Sequence, residues 1–361
     1  MKNLELSSPF FGHLFYFTRD FSMYLILVVV SFVFLIYSAF KIQKQKISEK
    51  RKKILTAFAF TIFAIIFTFT AFESYFRYRY DVSDGLGFLK VSKKWDARHV
   101  VLNNEFSRDR NFEQEKQEGV TRIGVLGDSI AAGGGIENIT NRFSNILEAK
   151  LRETGKKVEV YNLGRPGYDT SSEILVYDEM KQYNFDIIVW EYFVNDVQPG
   201  FKSSGTPIIE NSSKKSKLVA FISDRSYFFD FMYWRLSSKY QKTFQALRIA
   251  DIAQYKNEPV LNQHYQDIKT LLEKMKEQNS KVVVIMFPSN ILLGPDYPTY
   301  IHEMMGKYFR DNGAQFYDLL QDLKDKDGKT LIASKFDPHP NEIVHEIAGE
   351  KLYELLLPTI K

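Results

Sequence analysis

Two stretches constrain this chain more than any others. Phe21 to Phe40 (FSMYLILVVVSFVFLIYSAF) and Ile54 to Phe72 (ILTAFAFTIFAIIFTFTAF) contain no charged residue. Each matches the length of a bilayer-spanning helix, and only an internally hydrogen-bonded helix crosses lipid without leaving backbone groups unpaired. A long buried helix of a soluble protein is the competing reading. The first run has a long, nearly neutral flank before it and a basic flank after it, the reverse of a cleaved signal peptide, so it is expected to stay attached. Residues 1–80 are therefore read as a membrane anchor, with spans at about 21–40 and 54–72 and a basic loop at 41–53.

That loop holds Lys41, Lys44, Lys46, Lys50, Arg51, Lys52 and Lys53 against Glu49 alone. The positive-inside rule puts it in the cytoplasm, and the N-terminus and everything after Phe72 on the outer side. The chain's net charge of +4 comes from this loop, and the remainder carries about −2. Composition thus gives no basic face for nucleic acid. With no cysteine there is neither a disulfide framework nor a thiolate metal site. The alternating Tyr75, Phe76, Arg77, Tyr78, Arg79 and Tyr80 read equally as an interfacial anchor or as the first strand or turn of the next domain. Residues 81–119 are polar, with Gly85 and Gly87, and read as a linker and a domain-edge arm. His99 within them is a surface or packing histidine.

From residue 120 onward strands and helices alternate. Thr121 to Leu126 reads as a strand stopping at Gly127, and the apolar spacing of Phe143, Ile146, Leu147 and Leu151 predicts a helix closed by Gly155. Strands follow at Val158 to Leu163, Asp186 to Tyr192, Lys281 to Phe287 and Ala314 to Leu319. Helices are expected over Ile174 to Tyr183, near Gln266 to Gln278, near Thr299 to Asp311 and from about Asn341 to Leu357. This pattern predicts a three-layer α/β/α fold with a mostly parallel five-stranded sheet in flavodoxin-like order. An insertion at about 197–256 breaks it and carries Phe221, Tyr227, Phe228, Phe229, Phe231, Tyr233 and Trp234. A lid, an acyl-chain pocket or a membrane-facing surface are open readings, but aromatic stripes usually bury themselves, so helix packing onto the sheet is expected.

Three loops of the α/β region carry candidate chemistry. Gly127-Asp128-Ser129 ends the first strand, where open α/β sheets place their ligands, and Ser129 there is either a nucleophile or a cap for the following helix. Lys335-Phe336-Asp337-Pro338-His339-Pro340-Asn341 precedes the last helix. Its prolines hold His339 in a loop where an imidazole can take a proton from serine, with Asp337 near enough to orient the ring. Asn162-Leu163-Gly164-Arg165-Pro166-Gly167 presents backbone N–H groups at another strand end. The α/β-hydrolase elbow needs a glycine where Ala131 stands. A P-loop needs Lys-Ser or Lys-Thr where Ile136 follows the glycines, and no dinucleotide fingerprint is found.

Together these residues resemble the GDSL, or SGNH, hydrolase family over roughly Gln117 to Leu357. Gly127-Asp128-Ser129 resembles the nucleophile block, with Ile130 in place of leucine. Asn162 to Gly167 is similar to the second block, whose glycine N–H serves the oxyanion; Gly167 fits by spacing from Asn162, with Gly164 as the fallback. Asn195-Asp196 is similar to the third block, and Asp337 and His339 to the last. The chain departs at Phe193, where the third block has glycine, and at Asp337, which lies two rather than three residues before the histidine. The resemblance implies an SGNH-hydrolase domain over 120–361 with Ser129, His339 and Asp337 catalytic. Ser129, Gly167 and Asn195 would form the oxyanion hole, with no cofactor and no metal. It further implies a membrane-anchored serine esterase outside the cytoplasm, acting on an acyl ester, such as one on a surface glycan or lipid. An O-acyltransferase using the same residues and a non-catalytic envelope interaction protein retaining the fold are the alternatives.

Overall fold

The computed structural model describes the backbone of residues 9–197 and 206–360 and the side chains of residues 21–197 and 207–360. Residues 198–205 of the insertion thus lie outside the described residues. The chain divides into two compact units. One holds the described residues up to Asp81 together with Lys217–Tyr233, and the other holds Val82–Ser216 and Trp234–Lys361.

The first unit is built on a hairpin of two long helices, Pro9–Gln43 and Glu49–Tyr78. Ser48 starts the second, its hydroxyl accepting from the Arg51 N–H at 3.4 Å, and Glu49 sits favourably in the positive first turn. Apolar side chains point outward along both helices. Ile26 is 62% exposed and Phe58 64%, so both helices are long, apolar and outward-facing over most of their length. The hydroxyls of Ser31, Thr61 and Thr70 are satisfied internally, donating to the carbonyls of Val28, Ala57 and Ile66.

The second helix runs past the apolar stretch to Tyr78, so Tyr75 to Tyr78 form its last turn and not the strand or turn of a following domain. Phe76 is buried there, its ring stacked at 4.6 Å on Phe231. The aromatic stretch of the insertion up to Tyr233 accordingly belongs with the hairpin, whereas Trp234 is buried in the second unit, stacked on Phe88. Lys217–Arg225 and Tyr227 to Tyr233 pack on the hairpin instead of on the sheet, which corrects the expectation for these residues. The physical cause is Glu73, which is fully buried one residue beyond the apolar run. Its carboxylate accepts from Ser226 Oγ at 2.6 Å, from the Tyr227 N–H at 3.1 Å and from the Phe228 N–H at 3.0 Å. It thereby caps the helix beginning at Tyr227, and Arg77 pairs with it at 2.9 Å.

The second unit is a three-layer α/β/α body. Its five strands are β1 (Thr121–Leu126), β2 (Val158–Asn162), β3 (Ile187–Tyr192), β4 (Lys281–Met286) and β5 (Gln315–Asp318). They pair in the order β2-β1-β3-β4-β5, all parallel, which is the flavodoxin-like order. Successive residues serve opposite faces, as a pleated strand requires. Ile123, Val125, Val189, Val283 and Ile285 pack on one side with the helices Phe143–Glu153 and Glu342–Leu356. Leu126, Ile188, Trp190, Val284 and Met286 pack on the other, with Thr170–Met180, Glu258–Glu277 and Thr299–Asp311.

Two local departures bear on chemistry. No helix follows Ser129; residues 129–135 form successive turns, so the serine caps nothing. His339 sits on a short strand rather than in a loop: β6 (Ile332–Ser334) pairs antiparallel with β7 (Asp337–Pro340). Both prolines fit there because an edge strand of a two-stranded ribbon leaves N–H positions free of ladder bonds. Residues 81–119, read as linker and arm, carry the helix Ser92–His99 and bury Leu89, Val91 and Trp95 in the α/β unit.

Candidate active site

The site forms at the carboxyl ends of β1 and β3, neighbouring strands whose connections leave in opposite directions. β1 stops at Gly127 because nothing larger fits: a Cβ there would lie 2.6 Å from Glu191 Oε2. Glu191 is the sole charged residue of β3 and is buried. Burial pushes its carboxyl well above the usual range, helped by the charges of Asp128 and Glu173. Its Oε2 accepts from the N–H groups of Asp128 (3.2 Å) and Ala131 (3.3 Å). Sequence reasoning missed this residue; the signal was a carboxylate in an otherwise apolar strand.

One backbone donor of the turn stands apart from its neighbours. The Ile130 N–H donates to Asp128 Oδ1 at 2.7 Å, and those of Ala132, Gly133 and Gly134 donate to the carbonyls of Asp128, Ile130 and Ser129. With Asp128 and Ala131 committed to Glu191, the Ser129 N–H is the donor from 128 to 134 with no acceptor among the described residues.

Ser129 Oγ lies 2.8 Å from His339 Nε2. On the far side of the ring Nδ1 meets Asp337 Oδ1 in a short contact, and the same oxygen accepts the His339 backbone N–H at 3.1 Å. A carboxylate on Nδ1 fixes the proton there and leaves Nε2 bare to accept from the serine. Burial works against charge on both partners. The Asp337 carboxylate nevertheless raises the imidazole above its ordinary pKa of 6.5, Asp128 adding to this and Arg248 opposing it. Asp337 is in turn held below the usual carboxylate range against its own desolvation, by His339 and by a hydrogen bond from Ser83. The ribbon reaches the serine because Gly134 is flat: a Cβ there would sit 2.9 Å from the His339 ring.

The segment before β1, in which no residue was singled out for chemistry, supplies a clamp. The buried Arg108 guanidinium donates to the carbonyls of Gly133 and Ile136, each at 2.6 Å, and to that of His99 at 2.9 Å. Asn162, also buried, reaches the same turn from β2, donating to the Ala131 carbonyl at 2.7 Å and to Ser144 Oγ at 2.9 Å.

The remaining expected residues fall into place unequally. Asn195 lines the cleft with Ser129 and His339, and its Nδ2 donates to Asp128 Oδ2 at 3.1 Å, leaving its second hydrogen available. Gly164, the fallback oxyanion donor, has its own N–H occupied. That N–H is committed to Asn162 Oδ1 at 3.0 Å, and a Cβ on Gly164 would lie 2.4 Å from the Ala132 nitrogen. Gly167 is exposed, in the left-handed conformation (φ 80), and is not among the residues lining the cleft. Phe193 lines the cleft, and the Arg248 guanidinium lies over its ring at 5.0 Å. The cleft itself is small, about 70 Å³. Among the described residues, no group of three His, Asp or Glu side chains converges as a metal site.

Solved structures with similar chain traces include TesA, at 15% identity over 67% of this chain and 98% of that one, TM-score 0.38. They include the esterase EstA from Pseudoalteromonas sp., at 14% over 65% and 95%, TM-score 0.40. A third is the lipase/acylhydrolase from Enterococcus faecalis, at 15% over 67% and 97%, TM-score 0.41. No curated protein sequence matches the chain. The GDSL-like Lipase/Acylhydrolase family does match, over residues 125–347, from β1 through the last ribbon and into the final helix. With that match spanning more than half its length, the chain belongs to the GDSL, or SGNH, family of esterases and acylhydrolases.

Proposed function

We propose that the protein is a membrane-anchored serine esterase that hydrolyses acyl esters on the outer side of the membrane, with residues 1–80 as anchor and 120–361 as the catalytic domain. The observation that carries this reading is the 2.8 Å approach of Ser129 Oγ to an imidazole whose other nitrogen is held by a carboxylate. His339 Nε2 takes the Ser129 proton as Oγ attacks the ester carbonyl carbon. The resulting oxyanion is met by the uncommitted Ser129 N–H and by the second hydrogen of Asn195 Nδ2. The third donor expected from the motif spacing is the Gly167 N–H, which has no acceptor among the described residues but lies outside the cleft lining, so the oxyanion site rests first on Ser129 and Asn195. The C–O bond to the alcohol then breaks, and His339 returns the proton to the leaving oxygen. Water, deprotonated by the same nitrogen, attacks the acyl carbon; the C–Oγ bond breaks, His339 returns the proton to Ser129 Oγ, and the carboxylic acid is released. Asp337 stabilises the imidazolium during both halves.

Anchoring is supported by the two exposed apolar helices, and the outward side by the seven basic residues between them. The deciding experiment is covalent labelling with a fluorophosphonate probe. The intact protein is expected to label at Ser129 and to hydrolyse a short-chain aryl ester, and Ser129→Ala to do neither. Labelling that persists in Ser129→Ala would sink the assignment.

A further inference from the structure

The cleft at Ser129 does not end at the serine. It adjoins a second cavity of about 570 Å³, with Asn290, Ile291 and Pro338 lining both. One wall of the combined space is a single face of the helix Lys239–Gln254. Gln241, Phe244 and Gln245 line the larger cavity and Arg248 lines the cleft, at spacings i, i+3, i+4 and i+7. This helix belongs to the insertion, so the catalytic strands and their loops do not require it.

Along the lining of the two cavities, His339 aside, three cationic side chains (Arg248, Lys329 and Lys335) face two carboxylates (Asp128 and Asp327). Lys329 and Lys335 line the larger cavity, with Asp327 as its one carboxylate. In the cleft, both oxygens of Asp128 already accept hydrogen bonds, from Ile130 and Asn195. Arg248 pairs with Asp251 at 3.1 Å through one terminal nitrogen, and a guanidinium has five N–H donors, so its fork is not exhausted. The Phe193 ring at 5.0 Å holds the guanidinium at the cleft wall. A glycine at position 193, as in the motif this chain resembles, would give Arg248 no such platform.

We propose that Arg248, mounted on Phe193, is a specificity-determining residue that receives a carboxylate or phosphate in the alcohol portion of the substrate, that portion lying along the Gln241–Arg248 wall. The substrate class is then an ester of an acidic alcohol. A guanidinium recognises either anion through paired N–H donors. The inference rests on the esterase reading above.

The test uses the full chain with three esters of closely similar alcohols: 4-acetoxybenzoate, 4-acetoxyphenyl phosphate and the neutral methyl 4-acetoxybenzoate. The quantity read is kcat/KM for each anionic ester divided by that for the neutral one. We expect this ratio to fall about 10-fold or more in Arg248→Gln and to recover in part in Arg248→Lys. Of the two anionic esters, the one with the larger ratio identifies the anion. Phe193→Gly should lower the ratio in the same direction. Should the arginine variants not fold, the intact protein still decides the matter, because raising the salt from about 0.05 to 0.5 M must lower the ratio through screening. A ratio near one, or one unmoved by both substitution and salt, overturns the inference while leaving the esterase intact. If none of the three esters is cleaved and Ser129 does not label, it is the esterase reading that has failed.

Discussion

At the scale of single residues, the site is a contest between burial and pairing. Desolvation alone would strip the proton from His339, yet the adjacent carboxylate reverses this and leaves its pKa above 6.5. A general base acts only when unprotonated, so kcat/KM should climb with pH through a midpoint above 6.5. Asp337→Asn removes the cause of the shift. Its midpoint should move downward, and turnover should fall by up to about 10⁴, as when the corresponding acid is lost from a serine-protease triad. A pH–rate profile of both proteins checks this, and an unmoved midpoint would break the link between Asp337 and the base. Serine, histidine and aspartate were legible because each belongs to a short motif beside a strand end or a helix start. Glu191 and Arg108 were not. Their partners are backbone groups far away in sequence, and nothing local marks a charged side chain as buried until the fold brings 63 or 25 positions of separation to zero.

At the scale of elements, close approach governs what the strands and turns can do. The turn after β1 admits the His339 ribbon only across the bare face of Gly134, with the imidazole 2.9 Å from where a Cβ would stand. Gly134→Ala should therefore push the ring off the serine. We expect a loss of at least about 10²-fold in kcat, set against a stability cost of about 1–3 kcal/mol, the range for overpacking. Activity assays alongside thermal melts separate the two, and a variant with normal turnover would refute the geometry. The five parallel strands and their order followed from the spacing of apolar runs and turn residues, because period and punctuation are local signals. The ribbon carrying His339 did not, since Pro338 and Pro340 read as loop, and only pairing with Ile332–Ser334 makes them strand. The aromatic stretch of the insertion gave neither its burial nor its partner from sequence: of its named aromatics only Trp234 is buried, Phe221 and Phe229 are exposed, and the partner of the rest is set by Glu73 capping a helix more than 150 residues downstream.

At the scale of the whole molecule, the absence of cysteine makes sidedness directly measurable. A single cysteine at Ser48, in the basic loop, should react with a membrane-impermeant maleimide only after the cytoplasmic side is opened, and one at exposed Asp325 should react from outside in intact cells. The opposite labelling pattern would invert the proposed orientation. The Arg108 clamp adds something about time. A chain made from its N-terminus releases this arginine before the Gly133–Glu137 carbonyls it binds, so the guanidinium waits in water until the first strand and its turn arrive. The serine hydroxyl thus cannot be set in place by the sheet alone. A side chain translated ahead of the sheet holds its turn, but the imidazole that meets the hydroxyl lies 210 positions further on, so the reacting pair is complete only once the last ribbon has been made.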